Sequence, residues 1–193
     1  MDMIPSLRFD WPWYEFLLWN AATFVVSFFP NSFFEWISHR WVLHSKAIVG
    51  FAYQEHDRVH HVDFGADQSF HVPQGDKAYG VDFKFRDWTL FLVIMIPVWL
   101  GVELLVGKPL ILGAVLSILC WLQMFNSIHR LFHEPRDSWF ERTRYFQFLK
   151  THHRRHHADT SKNLNVSFIP IADFFLRSIA REKEAPAAPQ GTP

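Results

Sequence analysis

With 193 residues the chain has room for one domain, and 19 Lys+Arg balance 19 Asp+Glu, so no net charge draws it to nucleic acid. A single cysteine, Cys120, excludes a disulfide framework, a thiolate zinc site and an iron–sulfur cluster, leaving nitrogen and oxygen as metal donors. The combination of 21 Phe and 9 Trp with 12 His and only 8 Gly points to lipid rather than to a soluble core. No basic leader with a small-residue cleavage site opens the sequence, so no secretory signal peptide is expected.

In chain order, the first predicted element is an apolar stretch over about residues 12–37, where Pro30, Asn31 and Ser32 should kink or break a helix. Two more apolar stretches follow at 88–107 and 109–128. Only "GKP" at 107–109 separates them, which predicts a tight helical hairpin. Trp11, Trp13, Trp36, Trp88 and Trp99 lie near the expected ends of these stretches, where indoles favour the headgroup layer. Three crossings put residues 1–12 and the 107–109 turn on one side of a membrane. Of the 19 basic residues only Arg8 and Lys108 fall there, so the positive-inside rule makes the other, histidine-bearing side cytoplasmic. A soluble protein with buried helices is the alternative. Residues 1–180 read as a single domain, and the Pro/Ala-rich end, 181–193, as a disordered tail.

Eleven histidines fall into four boxes: "HRWVLH" (His39, His44), "HDRVHH" (His56, His60, His61), "HRLFH" (His129, His133) and "HHRRHH" (His152, His153, His156, His157). Only His71 stands outside them. Residues four apart share a helix face, so His56/His60, His129/His133, His152/His156 and His153/His157 can each aim two imidazoles at one point. His39 and His44 are five apart and need a local bulge or a helix end at His44. The first and third boxes directly follow apolar stretches and the other two lie in the connecting segments, so membrane crossing gathers all four into one layer. Imidazole-rich ligation without thiolate suits iron, zinc or copper. A histidine on a helix is also often a satisfied core or surface group, and a histidine-rich tract can be an adventitious metal patch.

The order of these boxes around a helical hairpin resembles the integral-membrane fatty acid hydroxylase/sterol desaturase superfamily. The likeness spans about residues 31–180 and rests on "FEWISHRWVLH", "EHDRVHH", "HRLFHEP" and "LKTHHRRHHADTSKNLNVSF", with Asp173 and Phe175 further along. It implies an all-α polytopic membrane protein with about three transmembrane helices and a helical cytoplasmic cap. That cap would hold two iron ions (zinc being possible in purified protein) that activate O₂ to hydroxylate or desaturate a lipid C–H bond. Carried over residue by residue, the ligands are His39, His44, His56, His60, His61, His129, His133, His153, His156 and His157, leaving His152 as a spare or supporting group. The second box is HX3HH where many lipid hydroxylases have HX2HH, which sets His56 apart. "EHDRVHH" is also similar to membrane alkane hydroxylases, and "HHADTSKNLNVSF" to carotenoid ring hydroxylases. No "HPGG" segment marks a fused cytochrome b5. An external cytochrome b5-, ferredoxin- or rubredoxin-type donor is therefore expected.

Metal-bound histidines usually donate their second N–H to a carboxylate or carbonyl. Glu35, four residues before His39 on the same face, is the first candidate for that role; Asp57, Glu134 and Asp159 follow. Arg154 and Arg155 should point away from the site, toward lipid phosphate, an acidic redox partner or solvent. Phe33, Phe34, Trp41, Phe125 and Phe132, with Gln123 and Asn126, are candidates to wall a lipid channel or simply to pack helices. The leading expectation is a lipid hydroxylase. A carotenoid ring hydroxylase or desaturase is the enzyme alternative, and a membrane metal transporter or sensor the non-enzyme one.

Overall fold

The computed structural model describes residues 4–8, 10–73, 76, 82 and 84–180; the expected tail at 181–193 lies outside the described residues. Its elements are all helical among the described residues. In chain order they are α1 (Trp13–Val26), α2 (Phe28–Ser38), α3 (Gly50–Glu55), α4 (His61–Asp63), α5 (Phe85–Val106), α6 (Ile111–His133), α7 (Arg144–Ala158) and α8 (Ile171–Phe175). Three helical stretches are long and apolar enough to cross a membrane: Trp13–Leu43, Phe85–Val106 and Ile111–His133. The first and third run further than the hydropathy alone indicates. His39, His129 and His133 therefore ride on the spanning helices themselves instead of following them.

The break expected at Pro30 falls three residues earlier, at Ser27, between α1 and α2. Proline lacks the N–H that would bond the carbonyl of Val26, so the ladder is weakened at the residue after that carbonyl. Pro30 itself sits in the first turn of α2, so the bond it cannot make is the one back to α1 and none within α2 is lost. The ladder resumes with Asn31 N–H donating to Ser27 O at 2.9 Å.

Helix α6 is the central post, packed on α1, α2 and α5. Its buried face runs Ala114, Ile118, Leu122, Phe125, His129 and His133, so one stripe of helical periodicity passes from apolar residues to imidazoles without changing direction. Helix α5 contributes Phe91, Met95, Trp99 and Glu103, one residue every four. Trp99 thus packs against the other helices. The hairpin closes as its sequence predicts, with Gly107 left-handed at φ 68°. Glu103, fully buried beneath the turn, accepts from Leu110 N–H and Ile111 N–H at 2.8 and 2.9 Å. It also accepts from Ser6 N–H and Ser6 Oγ, both at 2.6 Å, which fastens the N-terminal segment to the hairpin.

Candidate metal centre

The ten histidines carried over from the resemblance converge in two groups of five. His39, His44, His56, His61 and His156 form one; His60, His129, His133, His153 and His157 form the other. Within each group the nitrogens that face inward lie within 4.8 Å of one another. The first box goes wholly to the first group and the third box wholly to the second, while the second and fourth boxes divide between them.

Local helix geometry decides that division. His39–Leu43 and His56–His60 are π-helical turns, in which hydrogen bonds run from residue i+5 to residue i. His44 N–H donates to His39 O at 3.2 Å, and His61 N–H closes the second turn on His56 O. Each turn therefore aligns histidines five apart, His39 with His44 and His56 with His61. The bulge that the five-residue spacing of His39 and His44 demanded is present. The α-helical pairing of His56 with His60 is not: the π turn sends His60 to the second group. In α6 and α7 the ladder is regular, and His129/His133 and His153/His157 pair four apart as expected.

The donor set fits metal ions. In the first group His39 Nε2 lies 2.9 Å from His56 Nε2, His44 Nε2 lies 3.1 Å from His156 Nε2, and His61 Nε2 lies 3.2 Å from both His56 and His156. In the second, His60–His129, His133–His153 and His153–His157 approach Nε2 to Nε2 at 3.2, 3.1 and 3.0 Å. Two nitrogens bound at right angles about 2.1 Å from one ion lie about 3.0 Å apart.

The outer nitrogens fix the tautomers. His39 Nδ1–H donates to Leu164 O at 2.6 Å, His156 Nδ1–H to Lys162 O at 2.8 Å, and His133 Nδ1–H to Phe70 O at 2.8 Å. His157 Nδ1–H donates to Phe64 O, and His44 Nδ1–H donates to Asp57 Oδ1 at 2.8 Å. A carbonyl only accepts, so the proton sits on Nδ1 and a neutral ring presents a lone pair at Nε2. His44 and His156 consequently face each other lone pair to lone pair, an arrangement that a cation between them relieves. Burial, then the neighbouring imidazoles, holds His56, His60, His61 and His153 below the ordinary histidine value, which keeps these rings neutral and able to ligate. Burial likewise lowers His44 and His156, against the raising hydrogen bonds to Asp57 and to Lys162 O.

Other candidates land elsewhere. Glu35 does not touch His39. It accepts from Trp121 Nε1–H at 2.9 Å, from Val166 N–H at 2.5 Å and Ser167 N–H at 3.0 Å, and from the Ser167 hydroxyl. It thereby holds the buried segment 163–167 whose Leu164 carbonyl holds His39, one layer further out than its spacing indicated. Asp57 is a carboxylate in direct contact with a histidine of the groups. His152 belongs to neither group; its Nε2–H donates to Asp173 Oδ2 at 2.9 Å. Asp173 clamps the other end of the 163–167 segment, accepting from Leu164 N–H, Asn165 N–H and Ser178 Oγ. Residues 163–167 and Asp173 carried no separate signal beyond the family likeness. His71 Nδ1–H donates to Phe132 O at 2.8 Å outside both groups. Arg154 does point away, donating to Ala66 O at 2.6 Å. Glu134 pairs with Arg136, and Asp159 accepts from Ser161. Among the aromatic candidates Phe132 stacks on His153 and Phe125 meets His129 edge-on, whereas Trp41 is exposed.

Comparison with family models, with curated proteins and with solved structures returned no match.

Proposed function

We propose that the chain is a membrane-bound oxygenase that hydroxylates a C–H bond of a lipid, with one iron ion in each histidine group and its histidine end on the cytoplasmic side. The observation that carries this reading is the convergence of ten Nε2 atoms, five and five, at one end of three apolar helices. Two iron ions, when bound, supply the O₂ activation that an unactivated C–H bond demands and that no side chain provides.

The chain's own residues supply placement and dryness. Leu164, Lys162, Phe64 and Phe70 carbonyls and the Asp57 carboxylate turn five imidazoles so that each presents Nε2 inward. Phe64, Phe70 and Phe132 pack against the second group and keep water from it. Neutral imidazoles without carboxylate in either group leave the ions their full charge. A separate cytochrome b5-, ferredoxin- or rubredoxin-type protein delivers electrons. A transporter would bind its ion near mid-membrane, whereas these groups lie at helix ends, which favours the enzyme. Desaturation or ring hydroxylation uses the same centre with a differently placed C–H bond.

The test has two parts. Purified protein reconstituted with Fe(II) is expected to hold two ions per chain, and a persistent content well below two overturns the paired centre. Lipid extracts of cells expressing the protein are expected to gain a species one oxygen heavier, absent with His156→Ala. A product lighter by two hydrogens selects desaturation; the absence of any oxidised lipid overturns the oxygenase reading.

A further inference from the structure

On α6, beside the buried stripe that carries His129 and His133, a polar cavity and an apolar one follow each other along the helix. The polar cavity, of about 370 Å³, is lined by Gln123, Asn126, Ser127 and Arg130 of α6, with Arg136 and Asp82. The apolar cavity, of about 430 Å³, lies between α5 and α6, with Trp88, Leu92, Val93 and Ile96 on one wall and Leu119 on the other. Leu119 and Gln123 are four residues apart on one helix, so they stack on the same face and the two cavities abut there.

We propose that the two cavities together hold one glycerophospholipid, its phosphate diester in the polar cavity and an acyl chain in the apolar one. None of the ten converging histidines lines either cavity, so this lipid is not brought to the histidine groups and its binding is independent of the chemistry there.

The polar row is misplaced for bare hydrocarbon. Gln123, Asn126, Ser127 and Arg130 belong to a candidate membrane span, yet Gln123 and Ser127 are exposed instead of buried against another helix. Polar groups at that depth ordinarily face the protein interior. From Gln123 to Arg130 the row runs about 10 Å along the axis, more than the headgroup layer of about 5–8 Å per leaflet. A lipid phosphate seated in the cavity supplies the polar partner that acyl tails lack.

The donors suit a phosphate diester. Arg130 pairs with Asp82, its Nε lying 3.3 Å from Oδ1, and Arg136 pairs with Glu134 at 3.2 Å. These carboxylates hold the two guanidiniums at the cavity and use only part of the five N–H donors that each carries. A guanidinium fork matches phosphate oxygens, and basic pockets between membrane helices are where lipid headgroups bind. Trp88 adds a third sign. It stands one turn into α5 on the wall of the apolar cavity, and its buried indole N–H has no hydrogen-bond partner among the described residues. Such orphan donors are rare, and a glycerol ester carbonyl is the acceptor that a lipid brings to this depth. Both cavities also fall within the usual range of ligand pockets, about 300–1,000 Å³.

Photolabelling tests this on the full chain in nonionic maltoside micelles. The probe is phosphatidylethanolamine at trace level with a diazirine midway along one acyl chain. Label is expected on residues 88–97 and on Leu119. Unlabelled phosphatidylethanolamine should displace it, diacylglycerol of the same chains should compete at least tenfold more weakly, and inorganic phosphate should not displace it. Arg130→Gln with Arg136→Gln should lower the label at least tenfold while circular dichroism keeps the wild-type helical signal. Val93→Trp, which fills the apolar cavity, should lower it as far with both arginines intact. Diacylglycerol competing as well as the phospholipid would show a groove covered by any hydrocarbon and overturns the proposal. Displacement by inorganic phosphate would show a site for the free anion and overturns it too, as does label spread evenly over α1 and α5. The competition series uses the wild-type chain alone, so it decides the question even where a variant fails to fold.

Discussion

At the residue scale, the histidine boxes contain more imidazoles than the two converging groups hold, and hydrogen bonds separate the two kinds. His152 spends its Nε2 on Asp173, whereas His153, His156 and His157 turn theirs inward. His152→Gln is therefore expected to keep both ions per chain, and His153→Ala to lose the ion of the second group, as metal analysis would show. Asp57→Ala removes the acceptor that orients His44. Its expected effect is a loss of about 10- to 100-fold in affinity at the first group, with the second unchanged, read by chelator competition. If both groups weaken equally, Asp57 is not acting through His44. Acidity provides a further test. His56, His60, His61 and His153 are held below the ordinary histidine value by burial and then by their neighbours. Unfolded histidines take up a proton near pH 6.5 and these folded ones do not, so below about pH 6.5 the unfolded state binds more protons. Stability present above that pH is then lost progressively as pH falls below it. Metal-stripped protein in micelles should melt progressively earlier from pH 7 to pH 5. A melting temperature flat across that interval would contradict the neutral, buried clusters.

At the element scale, periodicity read from the sequence succeeds where helices are regular and fails where they are not. The pairings in α6 and α7 follow from a four-residue spacing, as does the buried stripe that delivers His129 and His133. The misfit of His39 with His44 exposes the first π turn, because a spacing of five cannot share an α-helical face. The second π turn is hidden, because His56, His60 and His61 offer both a four and a five and nothing in the string chooses between them. Glu35 satisfies the face rule but is drawn off by the amides of Val166 and Ser167, partners more than a hundred residues away that no local rule reveals. Close helix contact is similarly nonlocal. A Cβ placed on Gly113 would sit 2.0 Å from the backbone oxygen of Asn20, and Gly113 N–H donates to Asn20 Oδ1 at 2.7 Å. Helices α1 and α6 thus cross at a point where only glycine fits. Gly113→Ala should destabilise the protein by about 1–3 kcal/mol, the usual cost of overpacking. A denaturation midpoint in micelles equal to that of the wild type would show that the crossing can open without cost.

At the scale of the whole molecule, the fold sets its two kinds of chemistry at opposite ends of the apolar helices. Ser6, Glu103 and the 107–110 turn close one end with a buried carboxylate network, and both histidine groups occupy the other. This polarity makes sidedness a sharp question, because the electron donor of the proposed oxygenase would have to reach the histidine end. We propose an answer from the distribution of the basic residues. Arg8 and Lys108 alone accompany the hairpin turn, while Arg40, Lys46, Arg58, Arg142, Arg144 and Arg154 crowd the histidine end. Cytoplasmic loops carry such an excess. The expected arrangement is therefore a cytoplasmic histidine end with the hairpin turn outside. With Cys120 replaced by serine, Lys108→Cys should react with an impermeant maleimide added to intact cells. Thr160→Cys, exposed just beyond the last box, should react only after permeabilisation. The opposite pattern would place the centre outside the cell, beyond the reach of cytoplasmic electron carriers. It would require a donor of a different class while leaving the two histidine groups and their geometry as they are.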